Sequence, residues 1–326
     1  LDHSSGDSDP EVLLQDRLEK AKERLDDALE QEALLAEPVA PPMDELAILH
    51  HFCGNTENSS DLEEREPLRM AYYKAVAELT RAHAALANEL TDAGYTAREA
   101  TRITQQRDKA LDWRQVIRLA AGENLDLKAY EADMRFLIDA YIEADQPRKI
   151  SAFDDIGLLE LIVKTGVAEA INQSFGKSNS NKKAVQETIE NNMRRTIISE
   201  RAHDPAFYDR MSQVLDEIIR FRKQQADAYE EYLRRVAELA RQLHQQTADS
   251  TPAQLDTAGK RAMWNNLKGD LDLALRVDST VRQVRPDGWR GVQAKEQVIK
   301  AALFGLLQDA AEVERLFEVL VAQPEY

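Results

Sequence analysis

DPAFYDRMSQVLDEIIRFRKQQADAYEEYLRRVAELARQLHQQ, residues Asp204–Gln246, sets the fold class. Asp before Pro is a helix start: the carboxylate can accept from free N–H groups, and Pro suits the first helical position. Behind it Met211, Leu215, Ile218, Ala226, Tyr229, Leu233, Val236, Ala240 and Leu243 recur at three- and four-residue spacing, the period of a helix with one apolar stripe. Only Arg222 interrupts the stripe, and no Gly or Pro punctuates it after Pro205. The pattern therefore predicts one helix over 205–246, roughly 60 Å long at about 1.5 Å per residue.

The same period extends in both directions. Upstream, Val185, Ile189, Met193 and Ile197 recur every four residues, and the pattern predicts helices from Asp9-Pro10 to about Ala36, Pro67 to Ala93, and Leu127 to Ala144. Thr96-Ala97-Arg98-Glu99 spells a capping box for a further helix ending at Gly122. Short helices are expected at Gly157–Lys164 and Val167–Asn172, with a loop at Ser174–Asn181. Downstream, helices are expected near 253–267, 270–283, 292–308 and 310–322, with Pro286-Asp287-Gly288 as a turn. No convincing two-residue alternation occurs, and 6% aromatics with 12 Gly and 10 Pro in 326 residues argue against a sandwich or barrel. The expected fold is all-α, an elongated bundle of about a dozen helices.

Charge is unevenly placed. Residues 1–66 hold 19 Asp or Glu against 5 Lys or Arg, whereas 67–326 hold 40 against 37, so the net charge of −17 belongs mostly to the N-terminal fifth. A general nucleic-acid binder neutralises phosphates with a basic surplus, so any DNA contact here has to be local. Gly54–Pro67, polar and acidic, reads as a flexible boundary. The single cysteine, Cys53, excludes an internal disulfide framework and points to a reducing, cytoplasmic setting. No apolar run reaches the roughly 18 residues of a membrane span. The opening Leu1 suggests a piece of a longer protein.

Catalytic motifs are poorly represented. Gly176-Lys177-Ser178 is half of a phosphate loop, but residue 171 is Ile where the first Gly belongs. Asp126-Leu127-Lys128 with Asp112 has the letters of a metal nuclease on helical pattern rather than strands. His50-His51 with Cys53 offers zinc-type ligands, but adjacent helical residues diverge and no second cluster completes the set. No metal or catalytic residue is assigned.

Three stretches exceed generic helix. In ETIENNMRR, Glu187–Arg195, Asn191, Asn192, Arg194 and Arg195 suit oxygen acceptors on a partner, unless the arginines pair with nearby carboxylates. Arg222, within Arg220-Phe221-Arg222-Lys223, breaks the long stripe as a contact or as a snorkelling side chain. In DGWRG, Asp287–Gly291, Trp289 and Arg290 are interface types, with Lys295 and Lys300 on the following turns; a Trp plugging the bundle is the simpler alternative.

These blocks also carry a resemblance. DLKAYEADMRFLIDAYIEAD (Asp126–Asp145), KISAFDDIGLLELIVKTG (Lys149–Gly166), AVQETIENNMRRTIISE (Ala184–Glu200), FYDRMSQVLDEIIRFRKQQA (Phe207–Ala226), DGWRG and the ending AQPEY (Ala322–Tyr326) are similar to the C-terminal helical region of the restriction (R) subunit of type I restriction–modification enzymes. The resemblance runs from about Tyr72 onward, and residues 1–66 match it less clearly. It implies that 1–66 form a junction toward a missing motor domain and that 67–326 are the helical domain. It further implies docking of an ATP-dependent DNA-translocating nuclease on the methyltransferase and specificity subunits, with DNA in the assembled complex and no membrane. ATP and Mg would belong to the absent motor and nuclease domains, and no cofactor to this chain. Asn191, Asn192, Arg194, Arg195, Arg222, Trp289, Arg290 and Lys295 would then lie on the docking surface or the DNA path. Two rival classes are a free-standing helical adaptor and an enzyme with an unrecognised helical active site. The adaptor predicts no accompanying methyltransferase, and the enzyme a cleft of convergent carboxylates or His.

Overall fold

A computed structural model describes residues 10–39, 43–86, 88–123, 157–175, 181–248 and 250–326. The expected helix Leu127–Ala144, Asp126–Lys128 and Gly176–Ser178 lie outside the described residues. Among those described there are fourteen helices and no strand, so the all-α expectation holds. The chain divides into two units, Leu1–Gly157 with Ser178–Asn191, and Leu158–Lys177 with Asn192–Tyr326.

In the first unit α1 (Pro10–Ala36), α2 (Glu45–Cys53), α3 (Asp61–Glu64), α4 (Glu66–Ala85) and α5 (Ala97–Ala121) share one core. α1 lies along α4, α4 packs on α5, and α2 contacts both. Leu25, Leu49, Phe52, Tyr72, Val76, Leu79 and Ile117 are completely buried. The acidic first helix is therefore part of a core, with Leu25 inward and even one carboxylate buried, Glu32, which accepts from Tyr72 OH at 3.1 Å and Gln106 Nε2 at 3.0 Å. Gly54–Pro67 is organised by Asp61, whose carboxylate accepts from the Asn55 backbone N–H at 3.0 Å and from the Asn58 amide. Arg69, fully buried, donates to the carbonyls of Phe52 (3.1 Å) and Leu62 (2.8 Å) and to Glu123 (2.8 Å). The capping box forms as its sequence requires: Glu99 N–H donates to Thr96 Oγ1 at 3.3 Å, and Thr96 N–H to Glu99 Oε2 at 2.8 Å. α4 stops at Ala85, short of the expected Ala93.

The second unit begins with α6 (Leu158–Thr165) and α7 (Val167–Phe175). α8 (Lys182–Glu200) gives its residues to Asn191 to the first unit and those from Asn192 to the second. Then come α9 (Pro205–Gln224), α10 (Tyr229–Gln245), α11 (Ala258–Asn266), α12 (Leu271–Val284), α13 (Gln293–Leu307) and α14 (Ala310–Ala322). α11 through α14 enclose a core of Met263, Ala274, Val277, Val281, Ile299, Leu303, Leu316 and Leu320.

The single helix expected over 205–246 is two. The backbone leaves helical geometry at Gln225 (φ −130°, ψ 65°) and Ala228 (φ −87°, ψ 48°), and α9 and α10 pack against each other. Both apolar stripes are then buried, Met211, Leu215 and Ile218 on one side and Tyr232, Val236, Leu239 and Leu243 on the other. A straight helix would have left one half of the stripe in water. The break falls at Gln225-Ala226-Asp227-Ala228, after Arg222 has already weakened the stripe. Arg235 stacks over the Phe221 ring at 4.0 Å, tying the two helices near the turn. Among the described residues no helix is long and apolar enough to cross a membrane.

Candidate functional site

The Asn- and Arg-rich block of α8 is taken up inside the fold. In its first half the Glu187 carboxylate meets His50 Nε2 at 2.7 Å, and Thr56 Oγ1 donates to Glu190 Oε2 at 2.7 Å. Asn191 is 3% exposed and its Nδ2 has no hydrogen-bond partner. In the second half Arg194, also buried, donates from Nη1 to Ser212 Oγ at 2.9 Å and from Nη2 to Asp216 Oδ1 at 2.6 Å. Its fork is thus consumed by α9. Asn192 is buried and Arg195 half-buried, as is Arg222 near the end of α9. A surface reading of Asn191, Asn192 and Arg194 does not match this burial. Four-residue spacing puts the polar positions of α8 beside its apolar stripe, and the helix is covered on more than one side.

DGWRG forms a clasp for the C-terminal tail. Gly288 (φ 58°) and Gly291 (φ 75°) take left-handed backbone that other L residues adopt at a cost, so the loop can fold tightly on both sides of Trp289. Trp289, 3% exposed, stands edge-on to Phe317 with centroids 5.6 Å apart, and its Nε1 donates to the Tyr326 carbonyl at 3.2 Å. The exposed Arg290 wraps the end of α14: Nε donates to the Val321 carbonyl at 3.1 Å, Nη1 to that of Tyr326 at 3.3 Å, and Nη2 to that of Gln323. A cation at free helix C-terminal carbonyls is well placed electrostatically. Lys295 donates to the Asp287 carbonyl at 2.6 Å, closing the turn. From the other side Tyr326 OH donates to Asp278 Oδ1 at 2.7 Å, and Gln323 Nε2 to the His203 carbonyl at 2.6 Å. Trp289 is buried, so it presents no surface for a partner. The structure brings Trp289, Arg290 and Lys295 together in this clasp.

An outward apolar face was not anticipated from sequence. On α13 the core side carries Ile299 and Leu303, both fully buried. The opposite side carries Ala294, Val298, Ala301, Phe304 and Gly305, all exposed, with Gln297 and Gln308 as its only polar members. Val298 is 47% and Phe304 50% exposed, and Val292, just before the helix, is 42% exposed. A Cβ at Gly305 would meet nothing within 4 Å, so nothing among the described residues explains a glycine there. Isolated exposed apolar residues are ordinary, but a helix face of three turns with no charge is an interaction signature. The run from Val292 to Leu307 is apolar on two sides, and neighbours cover the side of Ile299 and Leu303.

Cys53 is inert by position: burial pushes its thiol up to about 12, where little thiolate exists. Among the described residues, no three His, Cys, Asp or Glu side chains group as ligands of one metal ion. No family model, no curated protein and no solved structure matches this chain.

Proposed function

We propose that this chain is a docking region of the type I restriction R-subunit kind, joining an ATP-dependent DNA-translocating nuclease motor to a methyltransferase–specificity core in the cytoplasm. The observation that carries the docking part is the uncharged outer face of α13, centred on Val298, Ala301 and Phe304. The restriction part rests on the sequence resemblance. The two resemblance blocks DGWRG and AQPEY meet in one clasp. A motor fixed to a core needs a stiff mount, and the bundle of α11–α14 closed by that clasp suits this.

The polar candidates take a different place in this reading. Trp289, Arg290 and Lys295 close the bundle that presents α13, Arg194 ties α8 to α9, and Arg195 and Arg222 are half-buried. The test is a titration of the 326-residue chain against the cognate methyltransferase–specificity complex, with and without duplex DNA, at two salt concentrations. Saturable binding without DNA, shallow in salt and lost in Val298→Asp and Phe304→Asp, supports docking through α13. Binding that requires DNA and falls steeply with salt moves the function to a DNA-path element. Absence of binding removes the docking reading and favours a free-standing adaptor.

A further inference from the structure

Within the second unit a cavity of about 220 Å³ opens beside the N-terminus of α9. Its lining combines the apolar Phe207, Ala258 and Ala262 with Glu200, Arg261 and Tyr208. It could hold roughly seven waters at about 30 Å³ each, or one small organic molecule. Three buried polar atoms on its wall make no hydrogen bond: His203 Nδ1, which pairs with Glu200 at 3.2 Å, and two donors that lack acceptors. Tyr208 is 1% exposed, and its hydroxyl, beside the Gln246 amide that also lines the cavity, has no acceptor for its proton; Arg261 donates from Nη1 to the Leu255 carbonyl at 3.2 Å, but its buried Nε has no partner. A buried donor without an acceptor is costly, so two on one cavity call for an occupant that supplies the missing oxygen. Burial, with the charges of Glu200 and Asp204, raises the Tyr208 pKa, so its hydroxyl keeps its proton.

The charges around the cavity select the kind of oxygen. Asp204 and Glu200 are carboxylates on the same wall and would repel a full anion. Asp204 is already committed: it accepts from Phe207 N–H at 3.1 Å and from the amides of Asn265 and Asn266 at 2.7 and 2.8 Å. Glu200, half-exposed, has His203 Nδ1 at 3.2 Å and retains acceptor capacity toward the opening. A cation would leave both donors unanswered. A neutral amide answers both sides, its carbonyl oxygen accepting from Arg261 and Tyr208 and its N–H donating to Glu200.

We infer that this cavity is a binding site for a small neutral amide whose apolar body packs on Phe207 and Ala262. The site is separate from α13, and its test does not involve docking. Benzamide, benzoate and benzamidine share one shape and differ in charge, so they are the probes, titrated into the 326-residue chain and followed by saturation-transfer NMR and calorimetry. Benzamide is expected to bind with a Kd on the order of 1 mM, fitting for a ligand of its size, and at least fivefold more tightly than either charged analogue. Tyr208→Phe removes one unpaired hydroxyl without touching packing and should weaken benzamide severalfold while leaving the Tm unchanged or higher. Arg261→Met should do the same to binding, with circular dichroism confirming the fold. Tighter binding of benzoate or benzamidine overturns the assignment, as does benzamide binding indifferent to both variants. No binding of any probe leaves a water-filled cavity and overturns it equally.

Discussion

The indole N–H of Trp289 reaches the backbone carbonyl of Tyr326 at 3.2 Å across 37 residues of chain, and the Tyr326 hydroxyl in turn donates to Asp278. The DGWRG turn, the chain's last residue and α12 are thereby joined in one polar chain beside the apolar core of Val277, Val281 and Phe317.

Trp289→Ala should therefore be among the most damaging substitutions in the second unit. It removes a large buried aromatic, its contact with Phe317 and the anchor of the tail, a loss of about 3–5 kcal/mol by the usual cost of such cavities. Trp289→Phe keeps the apolar body and drops the hydrogen bond, and should cost about 1–3 kcal/mol. Urea unfolding of both variants checks the ranking, and an alanine variant as stable as the parent would show that the clasp carries no load.

Gly259 on α11 lies where the tail passes. A Cβ built there would stand 2.1 Å from Glu325 Oε1 and 2.8 Å from Tyr326 Cε2, too close to coexist. Glu325 Oε1 also accepts from Thr257 Oγ1 at 2.8 Å, so its carboxylate is held in that position. Gly259→Ala already places that Cβ, so it should break the Thr257–Glu325 contact and cost about 1 kcal/mol, and the larger Gly259→Val should displace the tail and cost about 1–3 kcal/mol, as overpacking does. Faster limited proteolysis after the tail is displaced is the second readout.

Stability should carry a pH signature from Asp204. Burial, outweighing the amides of Asn265 and Asn266 and the Phe207 N–H that favour its charge, raises its pKa from 3.8 to about 6. A carboxyl whose folded pKa exceeds its unfolded one binds its proton more tightly in the fold. Its contribution is complete below about pH 4 and is lost as pH rises through 6, a difference of about 3 kcal/mol. The parent minus Asp204→Asn stability difference, measured by urea unfolding from pH 4.5 to 7.5, should fall with rising pH. A flat difference would mean that Asp204 titrates normally.

Val298→Asp and Phe304→Asp should leave folding within about 0.5 kcal/mol of the parent, because both side chains already face water. If α13 docks on a partner, each should weaken binding at least tenfold, since a buried unpaired carboxylate replaces an apolar contact. Gly305→Ala should raise helix stability by about 0.5–1 kcal/mol in the free chain. It should weaken docking only where the partner's backbone comes close.

Local chemistry was readable from the sequence. The helical period of Asp204–Gln246, the capping box of Thr96 and Glu99, and the Asp204-Pro205 start all concern residues within one or two turns of each other, so their outcome scarcely depends on the rest of the chain. What neighbours decide was not readable. The stripe from Met211 to Leu243 suits a straight helix as well as a hairpin, and burial of its halves against each other and against α6 and α11 chooses the hairpin. Arg194 and Asn191 carry the chemistry of a contact face, yet Ser212 and Asp216 on another helix claim Arg194, and the fold closes over Asn191. α13 has two apolar sides, and α12 and α14 cover the one with Ile299 and Leu303 and leave Val298 and Phe304 in water. Sequence alone determined which long segments are helical and where the capped ones begin, because hydrogen bonding and capping are local. Tertiary structure alone decided which faces are buried, because burial depends on distant segments that share no pattern with the residues they cover.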